Sequence, residues 1–282
     1  MIDNLITRYK HDLLSLFLRI FVYACAGFTI LILVFLLAYI LITGIPNITL
    51  DQFAWEYNSQ NVSMMPAIIN TIVMTVLALL IALPFGIFSA IYLVEYAKKG
   101  SKLVTIVRVT TETLSGIPSI VYGLFGFLLF VLFLGWGYSI LAGAFTMAIM
   151  ILPLIMRTTE EALKSVPDSY REGSFGLGAG KVRTIFRIVL PAAIPGISSG
   201  VILGIGRIVG ETAALIYTAG TVAGIPDSLF GSGRTLAIHM YALLSEGLYM
   251  EQAYSTAVIL LIMVVVINLI SSFISKKLTK GN

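Results

Sequence analysis

Two charged residues stand inside an otherwise uncharged apolar run, Arg207 and Glu211, four positions apart within residues 194–219. A central intramembrane charge costs about 2.5–3.5 kcal/mol on insertion scales, so such a residue faces protein or water and marks a pathway or a buried pair. On a continuous helix the two side chains are one turn apart and can meet. Their face continues through Gly196, Gly200, Gly204, Arg207, Glu211, Ala214 and Thr218, every one small or polar. Such a stripe is either the wall of a conduit or a packing seam, since Gly200 and Gly204 also form a small-xxx-small pair. For a conduit the natural cargo is an anion, because guanidinium binds phosphate-type oxygens bidentately and keeps its proton. Glu211 would then partly neutralise Arg207 so that the site releases what it binds, as conduction requires.

A second concentration of unusual residues lies in the segment 157–193. Val166-Pro167-Asp168-Ser169 has the form of a helix start, with Asp168 or Ser169 as cap and Glu172 in the first turn, where the helix dipole favours an acid. Gly173, Ser174, Gly176, Gly178 and Gly180 follow, although each glycine costs about 1 kcal/mol of helix stability relative to alanine. Smallness here serves either close approach by another protein or a flexible linker. Ser119 and Tyr122 follow the break at Pro118, where their hydroxyls either replace water around an anion or take part in ordinary packing.

Other apparent motifs fail on context. Gly196-Ile197-Ser198-Ser199-Gly200 matches the hydrolase pattern G-x-S-x-G but opens an apolar helix rather than a strand-to-helix elbow. A phosphate-binding loop around Gly180-Lys181 would need glycine at Phe175 and serine or threonine at Val182, so ATP hydrolysis is not expected in this chain. His11 and His239 fall on opposite sides of the membrane without clustered ligands, which gives no metal site, and the single Cys25 allows no internal disulfide.

The elements that must position these residues follow from composition. Of 282 residues 58% are hydrophobic and 11% charged, with mean hydropathy +0.98, where soluble domains carry roughly 25% charged residues; a water-soluble enzyme is excluded. Six runs are long enough to cross about 30 Å of hydrocarbon: 20–42, 67–94, 117–134, 138–156, 194–219 and 254–274. Sixteen of the 18 Lys and Arg residues fall on one side of these runs, Arg234 alone falls opposite, and the positive-inside rule puts both termini in the cytoplasm. No basic face interleaved with aromatics suggests nucleic acid. The first run exceeds a signal-peptide core, has no small-residue cleavage site, and is expected to stay as an anchor. Residues 95–116 are compatible with a helix at the membrane face, ended by Ser115-Gly116-Ile117-Pro118. Gly135-Trp136-Gly137 reads as a tight outer turn, and the outer loop 220–253 holds a helical stretch around 236–244. The fold class is an all-α polytopic membrane protein. Residues 1–66 carry the first span and an outer loop, 67–275 five further spans, and 276–282 a tail.

The spacing in the cytoplasmic segment carries a resemblance. Glu172-Gly173-Ser174, three residues to Gly178, then nine to Ile188-Val189-Leu190-Pro191, resembles the Glu-Ala-Ala signature of ABC-importer permeases, with small residues in place of both alanines. Gly210-Glu211-Thr212-Ala213-Ala214-Leu215-Ile216-Tyr217-Thr218-Ala219-Gly220 is similar to the fifth-span signature of the PstA family of phosphate-importer permeases. Ser115-Gly116-Ile117-Pro118-Ser119-Ile120-Val121-Tyr122-Gly123 resembles a segment shared by both permeases of such importers. The resemblance covers roughly residues 64–275. It implies the type I (MetI-like) permease fold, with a coupling helix at about 167–180 whose Glu172, Gly173, Ser174 and Gly178 meet an ATPase. It also implies a substrate path along Arg207, Glu211, Thr212, Ser119 and Tyr122, and no cofactor. The implied partners are a homologous PstC-like permease, two PstB-like ATPases, an extracytoplasmic PstS-like phosphate-binding protein and membrane lipid, in the bacterial cytoplasmic membrane. The alternatives are a permease for another oxyanion or small solute, an ion-coupled secondary transporter, which would not need the Glu172-to-Pro191 spacing, and an intramembrane enzyme.

Overall fold

A computed structural model describes residues 13–98 and 100–280. Arg8, Lys10, His11, Lys99, the side chain of Lys280 and the last two residues of the tail lie outside the described residues. Among the described residues the chain is helical and has no strand. Helix α1 is Leu13–Gly44, and α2 is Met65–Ile91, prolonged by a wider π-helical stretch, Tyr92–Tyr96. Pro66 falls in the first turn of α2, where its missing N–H is no loss. Helix α3 (Lys102–Ser115) ends at the expected breaker, and α4 (Ser119–Gly126, continued through Phe127–Phe133) leaves it at 103°. Then come α5 (Ile140–Ser165), α6 (Asp168–Gly176), α7 (Lys181–Val209), α8 (Ala213–Ile216), α9 (Leu236–Glu246) and α10 (Met250–Lys280). Helices α1, α2, α5, α7 and α10 are each long and apolar enough to cross a membrane, and the bent α3–α4 pair gives the sixth crossing when taken as one broken span.

Helix α5 is the centre of the bundle, with α2 along one side and α7 along another. Met74, Ala78 and Ala82 of α2, Met147 and Ile151 of α5, and Ile208 of α7 share one buried cluster. The α5–α7 contact is close because of glycine. A Cβ at Gly196 would stand 2.6 Å from Ala162 Cβ, one at Gly200 2.6 Å from Thr158 Cβ, and one at Gly204 3.4 Å from Ile155. This half of the small-residue stripe is therefore a packing seam and not a conduit wall, as small-residue faces between lipid-embedded helices generally are.

Two further regions are more ordered than their composition suggests. Residues 45–64 form two short 3-10 turns, Ile45–Asn47 and Leu50–Phe53, with Gln52 buried and its Oε1 accepting from Ser255 Oγ at 3.0 Å. Gly135 and Gly137 both take positive φ (67° and 66°), a conformation open to glycine, and so turn the chain between α4 and α5. The Trp136 between them stacks on Phe130 and meets Phe145 and Phe230 edge-on. By contrast α1 packs chiefly against α10 and leaves Phe17, Phe21, Phe28 and Phe35 outward.

Candidate functional site

The expected fifth span does not run unbroken to residue 219. Helix α7 ends at Val209, just past Gly204, whose neighbours Ile151 and Ile155 are in the middle of α5. The break therefore lies midway through the bundle. Gly206 and Gly210 weaken the helix there, and the side chain of Glu211 completes the change of direction: its Oε1 accepts the Ala214 N–H at 3.0 Å and caps α8. Glycine again permits the packing that follows. A Cβ at Gly123 of α4 would stand 2.7 Å from Ala214 Cα, and one at Gly126 would press on Thr146 and Thr218.

Non-helical backbone survives at this depth only where it is buried in protein or lines a cavity, because lipid offers no hydrogen bonds. The segment after α8 finds its partners at helix ends. The Ser139, Ile140 and Leu141 N–H groups at the start of α5 donate to the carbonyls of Thr218, Gly231 and Leu229 at 2.9–3.0 Å. On α2, Asn70 Nδ2 donates to the Gly224 and Arg234 carbonyls at 3.1 and 3.2 Å, and Thr71 Oγ1 accepts the Leu236 N–H at 2.8 Å. Orphan donors of one helix and unpaired carbonyls of the irregular stretch thus satisfy each other.

The consequence for Arg207 is direct. It occupies the last turn of α7, half-buried, where a cation complements the negative end of the helix dipole. Among the described residues no carboxylate lies within 4.0 Å of its guanidinium. The expected pair with Glu211 is absent, because the four-residue spacing brings two side chains together only while the helix continues. Tyr122 is within electrostatic reach of Arg207. Its hydroxyl is already engaged, donating to the Leu114 carbonyl at 2.8 Å and so bracing the bend between α3 and α4. Ser119 and Thr212 are half-buried, and their hydroxyls make no hydrogen bond among the described residues. The break thus presents one unpaired guanidinium beside the start of α4, with Glu211 turned to the backbone.

The second locus is α6 and the turn after it. Gly178 has φ +82°, its N–H donates to Phe175 O at 2.9 Å, and the Ala179 N–H donates to Ser174 O at 3.1 Å. This is the Schellman ending, in which the left-handed position falls on glycine. Ser174 is buried, its hydroxyl 2.8 Å from that of Thr184 at the start of α7. Glu172 and Gly173 are exposed, and Glu172 has no ion pair among the described residues. A Cβ at Gly173 or Gly176 would meet nothing within 4 Å, so this chain's own packing does not require their smallness. Tyr170, Phe175 and Leu177 are exposed alongside them, Leu177 to 92%. A groove of about 290 Å³ runs past Leu177, Gly178, Arg183 and Arg187.

Three charged groupings join residues far apart in the sequence. Glu160 of α5 receives Arg108 of α3 and Lys164, both at 2.6 Å. Arg171 of α6 reaches Glu95 at 2.7 Å. Arg234 is buried over the Tyr57 ring at 4.6 Å, and Tyr57 meets buried His239 edge-on. Burial, and then the charge of Arg234, lower the His239 pKa from 6.5 to about 3. The unfolded chain therefore takes up this proton first as pH falls. Its contribution to stability is full above about pH 6.5 and is lost progressively from there towards pH 3. The melting temperature in detergent is expected to fall more between pH 7.5 and 5 for the wild type than for His239→Phe; equal falls would contradict the assignment. Among the described residues no group of three His, Cys, Asp or Glu side chains could hold a metal.

Residues 82–281 match the family described as "Binding-protein-dependent transport system inner membrane component". The chain is 34% identical over 282 residues to the probable ABC transporter permease protein YqgI of Bacillus subtilis (strain 168), covering 90% of this chain and 94% of that one. It is 39% identical over 211 residues to the phosphate transport system permease protein PstA 1 of Mycobacterium tuberculosis (strain CDC 1551 / Oshkosh), covering 74% and 69%. In fold it matches a chain in the crystal structure of a bacterial ABC transporter involved in the import of the acidic polysaccharide alginate. That match has TM-score 0.69 at 18% identity and covers 98% and 99% of the two chains. The matched residues make up most of the sequence, and the chain belongs to the family of inner-membrane components of binding-protein-dependent transport systems, as a permease subunit of an ABC importer.

Proposed function

We propose that this permease carries inorganic phosphate across the bacterial cytoplasmic membrane, powered by ATP hydrolysis on a separate subunit. The observation that carries the reading is Arg207: a half-buried guanidinium with no carboxylate partner among the described residues, at a helix break midway through the bundle. Hydrogen phosphate suits such a group, which offers a planar fork of donors and a permanent charge. The PstA name of the mycobacterial relative supports phosphate in particular. With the bent α3–α4 pair taken as one crossing, the even number of crossings and the lysine and arginine asymmetry support both termini and α6 on the cytoplasmic side. Residues 67–275 then act as the permease unit. Glu172, Gly173 and Gly178 meet the ATPase at the surface of α6, while Ser174 holds that surface to α7. A homologous permease completes the path, two ATPase copies drive it, and an extracytoplasmic phosphate-binding protein delivers the cargo.

The test is uptake in proteoliposomes holding this chain with its companion permease, ATPase and binding protein. Radiolabelled phosphate should enter only with ATP inside the nucleotide-accessible compartment, and excess sulfate should not compete. Competition by sulfate, or uptake without the ATPase, would sink the phosphate reading or the ATP-driven reading respectively.

A further inference from the structure

The α6 helix touches three others, but the chain itself ties it to only two. A two-residue link joins it to α5 and a four-residue turn joins it to α7. Helix α2 is far away in sequence. Among the described residues the only hydrogen bonds or ion pairs from α6 to α2 and its π-helical end are those of Arg171 to Glu95, 76 positions apart. Arg171 Nε and Nη2 donate to Glu95 Oε1 at 3.1 and 2.7 Å. Nη2 also donates to the Leu163 carbonyl at 3.0 Å and Nη1 to the Val166 carbonyl at 2.8 Å, both at the end of α5. The side chains are 14% and 9% exposed, so water competes weakly for them. One guanidinium thus pins the ends of α2, α5 and α6 at a single point, with geometry that lysine could not reproduce.

The other end of α2 matters equally. There Asn70 and Thr71 hold the carbonyls of Gly224 and Arg234 and the N–H of Leu236, the irregular chain that follows the break beside Arg207. A helix of 27 residues spans about 40 Å, and α2 runs continuously over that length with Pro84 inside it. It has Glu95 in the π-helical stretch just past one end and, near the other, the hold of Asn70 and Thr71 on the irregular chain of residues 224–236. We propose that Arg171–Glu95 is the joint through which displacement of α6 is passed along α2 to the irregular chain that follows the break at Arg207, so that these two residues set how tightly ATP hydrolysis is coupled to transport. Arg171 and Glu95 are positioning residues, touching neither cargo nor nucleotide. The inference rests on the ATP-driven reading above.

The experiment measures phosphate moved per ATP hydrolysed in the reconstituted importer, for wild type, Glu95→Gln, Arg171→Gln, the double variant and Arg171→Lys. Each single glutamine variant should still copurify with the ATPase and hydrolyse ATP, with phosphate per ATP lowered tenfold or more. The double variant should be no worse than either single one, and Arg171→Lys should fall between. An unchanged ratio in the glutamine variants, or additive losses in the double one, overturns the joint. So does loss of ATPase binding in step with uptake, which would make the pair a mere prop for docking. Arg171→Lys keeps the charge and keeps the question open to measurement should the glutamine variants fold poorly, since a wild-type ratio in that variant also counts against the proposal. If wild-type importer shows no ATP-dependent uptake at all, it is the ATP-driven reading that fails instead.

Discussion

Replacing Arg207 with glutamine is expected to cut phosphate uptake by roughly 100-fold, because about 3 kcal/mol of charge-assisted hydrogen bonding corresponds to two powers of ten. Insertion and assembly should persist, since among the described residues Arg207 makes no ion pair that its loss would break. Arg207→Lys keeps the charge without the fork and should fall between. Glu211 separates two accounts of the site. Were the two charges paired, Glu211→Gln would disturb transport as deeply as Arg207→Gln. With Glu211 capping α8 through Oε1, a glutamine can still accept the Ala214 N–H, and its effect should be several-fold at most. Initial uptake rates normalised to inserted protein decide this. Equal losses in both variants would restore the pair.

Gly178→Trp should abolish ATP-dependent uptake while the protein still inserts. Two effects add. The left-handed conformation at φ +82° costs an ordinary L-residue about 1–2 kcal/mol, and a large side chain then projects from the surface proposed to meet the ATPase. Asparagine tolerates that conformation better and is smaller, so Gly178→Asn should retain much of the activity. Recovery of the ATPase on the tagged permease is the accompanying measurement. Full recovery together with full uptake in Gly178→Trp would remove this turn from the coupling surface.

Much of this architecture could be read from residue types. Five of the six apolar runs fell on helices long and apolar enough to cross a membrane and the other on the bent α3–α4 pair, Ser115-Gly116-Ile117-Pro118 marked the bend after α3, and the stretch near 236–244 emerged as α9. Hydropathy could not reveal the break in the fifth span. Apart from Glu211, residues 210–219 are as small and apolar as helix interior, and what holds the chain in its broken course is the Glu211 bond to the Ala214 N–H and, farther on, bonds from residues 218–236 to Asn70, Thr71 and the start of α5, which are distant in sequence. The Arg207–Glu211 pair failed for the same reason, since its warrant was helical continuity. The small-residue stripe was ambiguous on its own terms. Gly196 and Gly200 turned out to face Ala162 and Thr158, whereas a Cβ at Gly173 or Gly176 would meet nothing within 4 Å among the described residues. Arg171 and Glu95 lie 76 positions apart, and no spacing rule reaches that far.

The central claim is that the surface of α6 is where ATP hydrolysis enters the permease. Leu177, at 92% exposure beside Gly178, is the position from which to ask. A photo-reactive residue in its place, activated in cells carrying the whole importer, should yield an adduct with the nucleotide-binding subunit, in an amount that changes when ATP is depleted. Adducts with lipid alone, in cells whose phosphate uptake survives removal of that subunit, would contradict the account.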